Sequence, residues 1–343
     1  MNKDLELRGD CQIFICTGFE ALKASRQIIH RFSKGRPSYI FWFGGDRGQD
    51  EIDEPFTHLF EFKTAAQGMS YGELLQDFSR ILGENSEKFK DADIFIPHPY
   101  HFAANYFLNK PNIAGLYLLP DGMINYSHRK LTLVEKLKSL AKLIYGWIYH
   151  VHYYPCVRSL HITRYEDLPY VATFTFEPRR LVTTAGSVFV LDDIINKNDY
   201  VSEPGRILFL DQEITEIFSK DLAYAIRMAA FSFMENLNAN EIYYKPHPKG
   251  QNRINLLRSI IPEAILLEKK GAVENIIGEL RVEKCVSFYS TALLVLRRMT
   301  TVETISILPS APPNHTAEFV EGIAKSFDEH GIIVLRVKTQ PIS

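Results

Sequence analysis

Short apolar runs recur along the chain. Each is closed by a turn residue, and most are followed by a stretch whose apolar positions fall three and four apart. The first run is Gln12-Ile13-Phe14-Ile15-Cys16; Thr17-Gly18 breaks it, and residues 19–32 carry helical spacing. Continuous apolar runs of this length suit strands covered on both faces, and strand–turn–helix is the opening unit of an α/β domain. Further strands are predicted over residues 38–43, ending at Gly44-Gly45-Asp46; over 93–97, followed by a loop rich in His and Tyr and a short helix; and over 114–119, running into Pro120-Asp121-Gly122. Residues 72–89 read as a helix.

The stretch from Asn196 to Gly205 is polar and rich in breakers, which marks a linker. After it the pattern restarts, with strands over residues 206–210, 241–245, 264–267, 284–288 and 304–308 and a helix over 216–237. Two successive units of alternating strand and helix predict an α/β protein with parallel sheets and crossover helices: two Rossmann-like domains, 1–200 and 201–343, facing each other across a cleft.

One segment fits this scheme less simply. Residues 131–154 mix Lys136, Lys138 and Lys142 with Leu, Ile, Tyr and Trp147. They read either as an interfacial helix making peripheral contact with a membrane or as a core helix with a wet basic edge. No stretch of about 18 uninterrupted apolar residues is present, so no spanning helix is expected. The charged start Met1-Asn2-Lys3-Asp4 lacks the apolar core of a signal peptide, and Cys11, Cys16, Cys156 and Cys285 form no C-x-x-C pair. A cytoplasmic protein is expected, with the 131–154 helix as its one route to the inner membrane.

Composition narrows the function. With 46% hydrophobic and 23% charged residues the chain is an ordinary globular protein, which excludes disorder and coiled coil. A formal net charge of −2 excludes a general polyanion binder, so nucleic acid is not an expected partner and any affinity for phosphate must be local.

Ligands of open α/β sheets sit at the carboxyl ends of the strands, and three loops there carry chemistry. Asp121 leaves the strand at 114–119, and Gly122 permits a sharp turn. That carboxylate could serve as a general base on a sugar hydroxyl, although Asp-Gly is also a common plain turn. In Lys245-Pro246-His247-Pro248-Lys249 two prolines stiffen the backbone on both sides of an imidazole, and lysines bracket it. A protonated His there could stabilise or protonate a departing phosphate. Ser290 and Thr291 stand where a strand becomes a helix, which suits either phosphate binding or an ordinary N-cap. An imidazole and a hydroxyl-lined helix start in one half, with a carboxylate in the other, make the layout of an inverting transferase that uses an activated sugar nucleotide.

With these three loops in this order, the chain resembles the bacterial sialyltransferases of GT-B architecture, in particular the polysialyltransferase-like and lipooligosaccharide sialyltransferase families. Their signatures are D/E-D/E-G, H-P and S-S/T, matched here by Pro120-Asp121-Gly122, His247-Pro248 and Ser290-Thr291, over about residues 11–310. The first acidic position is Pro120; the acidic residue adjacent to Gly, the family's proposed base, is kept as Asp121. The resemblance implies a GT-B-like fold, a CMP-sialic acid donor, a glycan or lipid-linked oligosaccharide acceptor, inversion at the anomeric carbon, and neither metal nor cofactor. It further implies that Asp121 takes the acceptor proton and that His247 assists the departure of CMP. Ser290 and Thr291 would bind the phosphate, Lys245 would add charge, and Thr17 and Gly18 would lie near a donor or acceptor carboxylate.

Three other readings compete. Kdo transferases and glycerophosphotransferases of capsule and teichoic acid synthesis carry a similar Pro-flanked His and a Ser/Thr-rich helix start. A metallo-phosphoesterase could use His98 and His101 or His150 and His152, yet neither pair has Asp or Glu within four residues. A non-catalytic glycan-binding module would not need Asp121 and His247 intact.

Overall fold

The computed structural model describes residues 5–45, 55–63, 67–126, 129–156, 161–178, 181–192, 200–247, 250–269 and 271–338. These separate into two compact units, one extending to Asp192 and the other starting at Tyr200.

The first unit is built on β1 (Cys11–Cys16), β2 (Ser38–Trp42), β3 (Thr57–Glu61), β4 (Ala92–Ile96), β5 (Ile113–Leu118), β6 (Ala172–Thr175) and β7 (Ser187–Val190). They form one sheet in the order β3-β2-β1-β4-β5-β6-β7, with every neighbouring pair parallel. Its helices are α1 (Phe19–Phe32), α2 (Tyr71–Asn85), α3 (Phe102–Leu108) and α4 (Leu133–Ile148). Both faces of the sheet are covered, so successive strand residues enter different cores. Ile13, Ile15, Phe41, Ile94 and Ile96 pack with Leu75 and Phe78 of α2 and Phe102 of α3. Phe14, Cys16, Trp42, Phe95 and Tyr117 pack with Leu22 and Ile28 of α1. Phe95 is stacked between its register partners Phe14 and Tyr117, with ring centroids at 4.4 and 4.5 Å. This ladder clamps together the three central strands β1, β4 and β5.

The segment at 131–154 resolves into helix and return. Thr132 and Glu135 form a capping box at the start of α4. Beyond Ile148 the chain reverses at His150, whose φ is +57°, and Val151 and Tyr153 turn back into the core. Gly146 permits that return, since a Cβ there would lie 2.3 Å from the Val151 carbonyl oxygen.

The second unit contains β8 (Glu203–Leu210), β9 (Glu241–Lys245), β10 (Ile265–Leu266), β11 (Val282–Ser287), β12 (Glu303–Pro309) and β13 (Ile333–Val337). They form a parallel sheet ordered β10-β9-β8-β11-β12-β13, with helices α5 (Lys220–Glu235), α6 (Ile254–Arg258), α7 (Ile277–Leu280), α8 (Thr291–Met299) and α9 (Asn314–Glu329). Phe209 is the centre of its aromatic core, against Phe231, Tyr244 and Phe288.

In each unit the strand order reverses beside the first strand: β1 lies between β2 and β4, and β8 between β9 and β11. Such switch points leave a crevice at the carboxyl ends of the strands, the usual ligand position in open α/β sheets. Among the described residues no helix is long and apolar enough to cross a membrane.

Candidate active site

At the switch point of the first sheet, the ends of β1, β4 and β5 bring Thr17, His98 and Asp121 together. Asp121 is held by its backbone: its N–H donates to Asn125 Oδ1 at 2.5 Å, and Asn125 Nδ2 donates to Thr183 Oγ1 at 3.1 Å. Gly122 turns the chain with φ +57°, a conformation that favours glycine, and its N–H donates to Glu20 Oε2 of α1 at 3.1 Å. Gly18 is the N-cap of α1 and makes no side-chain cap. A Cβ there would meet nothing within 4 Å, so close packing does not require glycine at that position.

The two carboxylate oxygens of Asp121 differ. Oδ1 accepts from the Thr17 hydroxyl at 3.4 Å. Oδ2 is buried without a hydrogen-bond partner; His98 Nε2 is 3.5 Å away, close enough for ionic attraction but not aligned as a hydrogen bond. His98 Nδ1 accepts the His101 N–H at 3.3 Å, so a neutral His98 carries its proton on Nε2, facing Asp121. A carboxylate with one oxygen lightly held and the other without a hydrogen-bond partner beside an imidazole can take a proton from a hydroxyl placed there. Sequence reasoning considered His98 only as a metal ligand and looked for carboxylates nearby along the chain. The sheet order instead supplies Asp121 from the end of the neighbouring strand.

The second sheet carries the remaining predicted residues. His247 follows β9 and is half-buried; Pro248 lies outside the described residues. Ser290 is the N-cap of α8, its hydroxyl accepting the Ala292 N–H at 3.3 Å, and Thr291 opens the helix. The bland capping reading of Ser290 therefore holds, although an N-cap hydroxyl can still reach a phosphate at the same helix start. Lys245, expected to add positive charge near the phosphate, already has a partner. It is buried, its ammonium donates to the Lys269 carbonyl at 2.9 Å, and burial pushes its pKa down, with Glu274 pulling it partly back.

A buried ionic cluster that the sequence did not announce supports both loops. Asp211, directly after β8, accepts from Arg227 Nε at 3.2 Å and from the Tyr244 hydroxyl at 2.7 Å, and lies 3.4 Å from Arg253 Nη1. Arg253 Nη2 pairs with Glu213 at 2.7 Å, and the Arg253 N–H donates to the Tyr244 hydroxyl at 2.9 Å. Burial, reinforced by Asp211, pushes the Tyr244 phenol well above its ordinary range. Burial alone would raise Glu213, but the Thr215 hydroxyl and Arg253 hold it low. Gln212 Oε1 accepts the Tyr289 N–H at 2.9 Å, and Ser287 Oγ donates to the Leu210 carbonyl at 2.7 Å. Residues 210–213 thus brace the loop after β9 on one side and the loop into α8 on the other. Among the described residues no group of three or more His, Cys, Asp or Glu is arranged to hold a metal ion.

A family model for alpha-2,8-polysialyltransferase (POLYST) matches residues 72–308. Among curated proteins none matches the chain by sequence. Several solved structures are similar. The 2,6-sialyltransferase of Photobacterium sp. JT-ISH-224, in a ternary complex with CMP and lactose, is 14% identical, with a TM-score of 0.51 over 95% of this chain and 78% of its own. The GT-B domain of the sialyltransferase of Photobacterium damselae is 11% identical, with a TM-score of 0.51 over 95% and 99%. The alpha/beta-galactoside alpha-2,3-sialyltransferase of Photobacterium phosphoreum is 10% identical, with a TM-score of 0.52 over 94% and 98%. At these identities the likeness establishes a shared GT-B fold.

Proposed function

The chain belongs to the alpha-2,8-polysialyltransferase family and is a sialyltransferase; from that premise we propose that it moves sialic acid from CMP-sialic acid to a hydroxyl of a glycan acceptor, with inversion at the anomeric carbon and without a metal. The observation that carries this reading is the buried Oδ2 of Asp121, which has no hydrogen-bond partner at the switch point of the first sheet and lies 3.5 Å from the His98 imidazole. Oδ2 removes the proton as the acceptor oxygen attacks, so nucleophilicity develops only as the new bond forms. His98 Nε2–H lies beside the same carboxylate and orients the acceptor hydroxyl toward it.

In this reading Asp121 is the base, and His247, Ser290 and Thr291 make the phosphate contacts. A single displacement places the attacking hydroxyl opposite the leaving CMP, which inverts the sugar carbon. The phosphate leaves with added negative charge, stabilised by a protonated His247, by the Ser290 and Thr291 hydroxyls and by the N-terminus of α8. Lys245 contributes through its field, because its ammonium is already engaged with Lys269. The complex of the Photobacterium sp. JT-ISH-224 enzyme with CMP and lactose supports a nucleotide donor and a glycan acceptor for this chain. The acceptor class we assign is a bacterial surface polysaccharide or a lipid-linked oligosaccharide.

A donor screen with CMP-sialic acid, CMP-Kdo and CDP-glycerol, run with and without EDTA, tests the reading. Transfer from CMP-sialic acid alone, undiminished by EDTA, is expected; preference for another donor overturns the assignment. Asp121→Asn and His247→Ala should each lower kcat by at least about 100-fold with melting temperature unchanged. Near-normal turnover in either variant removes the role given to that residue.

A further inference from the structure

α4 is amphipathic in the opposite sense to a helix packed on its own sheet. Its inward side carries the buried Ser139 and Gly146, with Glu135 and Lys142 also turned to the protein. Its outward side carries Leu133, Leu137, Leu140, Ile144, Trp147 and Ile148, of which Leu133 is 74% and Trp147 81% exposed. On the 100° spacing of an α-helix these six, together with the exposed Val134, Leu143 and Tyr145, fall within one broad arc, with Lys136 and Lys138 each within about 20° of one of its edges and Lys130 just before the helix. Among residues 130–150 the one acid is Glu135, and it is spent on the Thr132 cap and on Arg129 at 2.5 Å.

This face is held rigidly. Tyr100 donates to the Glu135 carbonyl at 3.2 Å, and the Lys142 ammonium donates to the Tyr100 carbonyl at 2.9 Å while lying over the Tyr100 ring. Ser139 Oγ accepts the Cys156 N–H at 2.8 Å and shares a hydrogen bond with the Tyr153 hydroxyl at 3.0 Å. Exposed leucines therefore do not reflect a helix loosely hung on the surface. Tyr100 stands two residues from His98, so α4 is tied to the loop that faces Asp121.

We infer that α4 docks the first unit onto an anionic lipid bilayer, its apolar arc in the acyl boundary and its marginal lysines on the headgroups. Sixteen residues of helix reach only about 24 Å, too short to span, so the helix lies in the plane of the interface. The charges select the occupant. A second copy packed face to face would set lysine rim against lysine rim, whereas anionic headgroups complement both margins. Trp147 belongs at the headgroup level, where an amphipathic ring is most stable.

Vesicle flotation of the full chain without nucleotide tests this independently of donor chemistry. The protein should float with phosphatidylcholine vesicles containing phosphatidylglycerol and stay behind with pure phosphatidylcholine, and high salt should release it. Of the two tryptophans, Trp42 is buried and Trp147 is exposed, so a blue shift on binding reports Trp147 directly. Leu137→Glu with Ile144→Glu, both at solvent positions, should lower partitioning by at least about tenfold with the melting temperature kept; Lys136→Glu with Lys138→Glu should abolish the preference for phosphatidylglycerol. Absence of wild-type flotation, equal flotation on both vesicle types, or a soluble dimer dispersed by the Leu137/Ile144 variant would each overturn the proposal. Loss of flotation in a chain that still transfers sialic acid to a soluble acceptor leaves the enzymatic reading intact.

Discussion

Asp121 depends on a neighbour that has no chemistry of its own. Asn125 is buried and spans the Asp121 N–H and the Thr183 hydroxyl, fixing where the carboxylate points. Asn125→Ala leaves the Asp121 N–H without its acceptor, which costs about 1–3 kcal/mol in a buried setting. It also lets the carboxylate wander from the acceptor hydroxyl, and misplacement by about 1 Å is worth up to about 100-fold in rate. The expected result is a kcat at least about tenfold lower with CMP affinity unchanged, because the phosphate contacts are assigned to the other unit; steady-state kinetics beside a CMP titration check it. Asp121 was legible because a carboxylate followed by glycine at a strand end is a local pattern. Asn125 and His98 were not. Asn125 matters through a hydrogen bond made inside a one-turn 3-10 helix, and His98 through a neighbour brought alongside by sheet order, and neither relation is written in local spacing.

At the scale of elements, the turn after β8 is the hinge of the second unit's site. The Arg227 and Asp211 side chains are 4% and 0% exposed, so the pair lives where an unpaired charge is costly. Asp211→Asn keeps the shape but leaves Arg227 and Arg253 without their shared carboxylate, and breaking a buried pair in this way costs about 3–5 kcal/mol. The denaturation midpoint should fall accordingly. CMP affinity should fall further than the stability loss alone explains, because residues 210–213 brace both proposed phosphate loops; calorimetric titration of the folded variant measures that second effect, and unchanged CMP affinity would separate the cluster from function. The central strands were readable from the sequence because burial on both faces demands unbroken apolar runs. The strands β3, β7 and β13 lie at sheet edges, keep exposed positions and so lack such runs, while β6, Ala-Thr-Phe-Thr, is buried but only four residues long with two hydroxyls. Residues 149–154 read as helix because their apolar residues continue the spacing of α4, but they pack inward after the turn at His150.

Over the whole molecule, the four free cysteines add to the loss of stability at alkaline pH, and they are divided unequally. Cys11, Cys16 and Cys156 belong to the first unit and Cys285 to the second, and all are buried. Burial pushes Cys11 and Cys16 from an ordinary 9.0 up to about 12 and raises Cys156 and Cys285 as well. A thiol whose folded pKa exceeds its unfolded value gives its full stabilisation below pH 9 and loses it as pH climbs toward the folded value, because only the unfolded chain ionises. Lys142 acts in the opposite direction. Burial lowers it from 10.5 to about 8, so its penalty applies in full below pH 8 and is relieved between pH 8 and 10.5. Each group changes stability by at most roughly 1.4 kcal/mol per pH unit, and in the first unit three thiols outweigh one lysine. Between pH 9 and 10 that unit should therefore lose stability more steeply than the second, where a single thiol is set against Lys245, which burial also lowers. Urea melts followed separately in the two units should show transitions that part as pH rises, the first unit's midpoint falling faster. Cys16→Ala should flatten the first unit's slope by one thiol and Cys285→Ala the second's; slopes that ignore both replacements would mean that the buried thiols do not control alkaline stability.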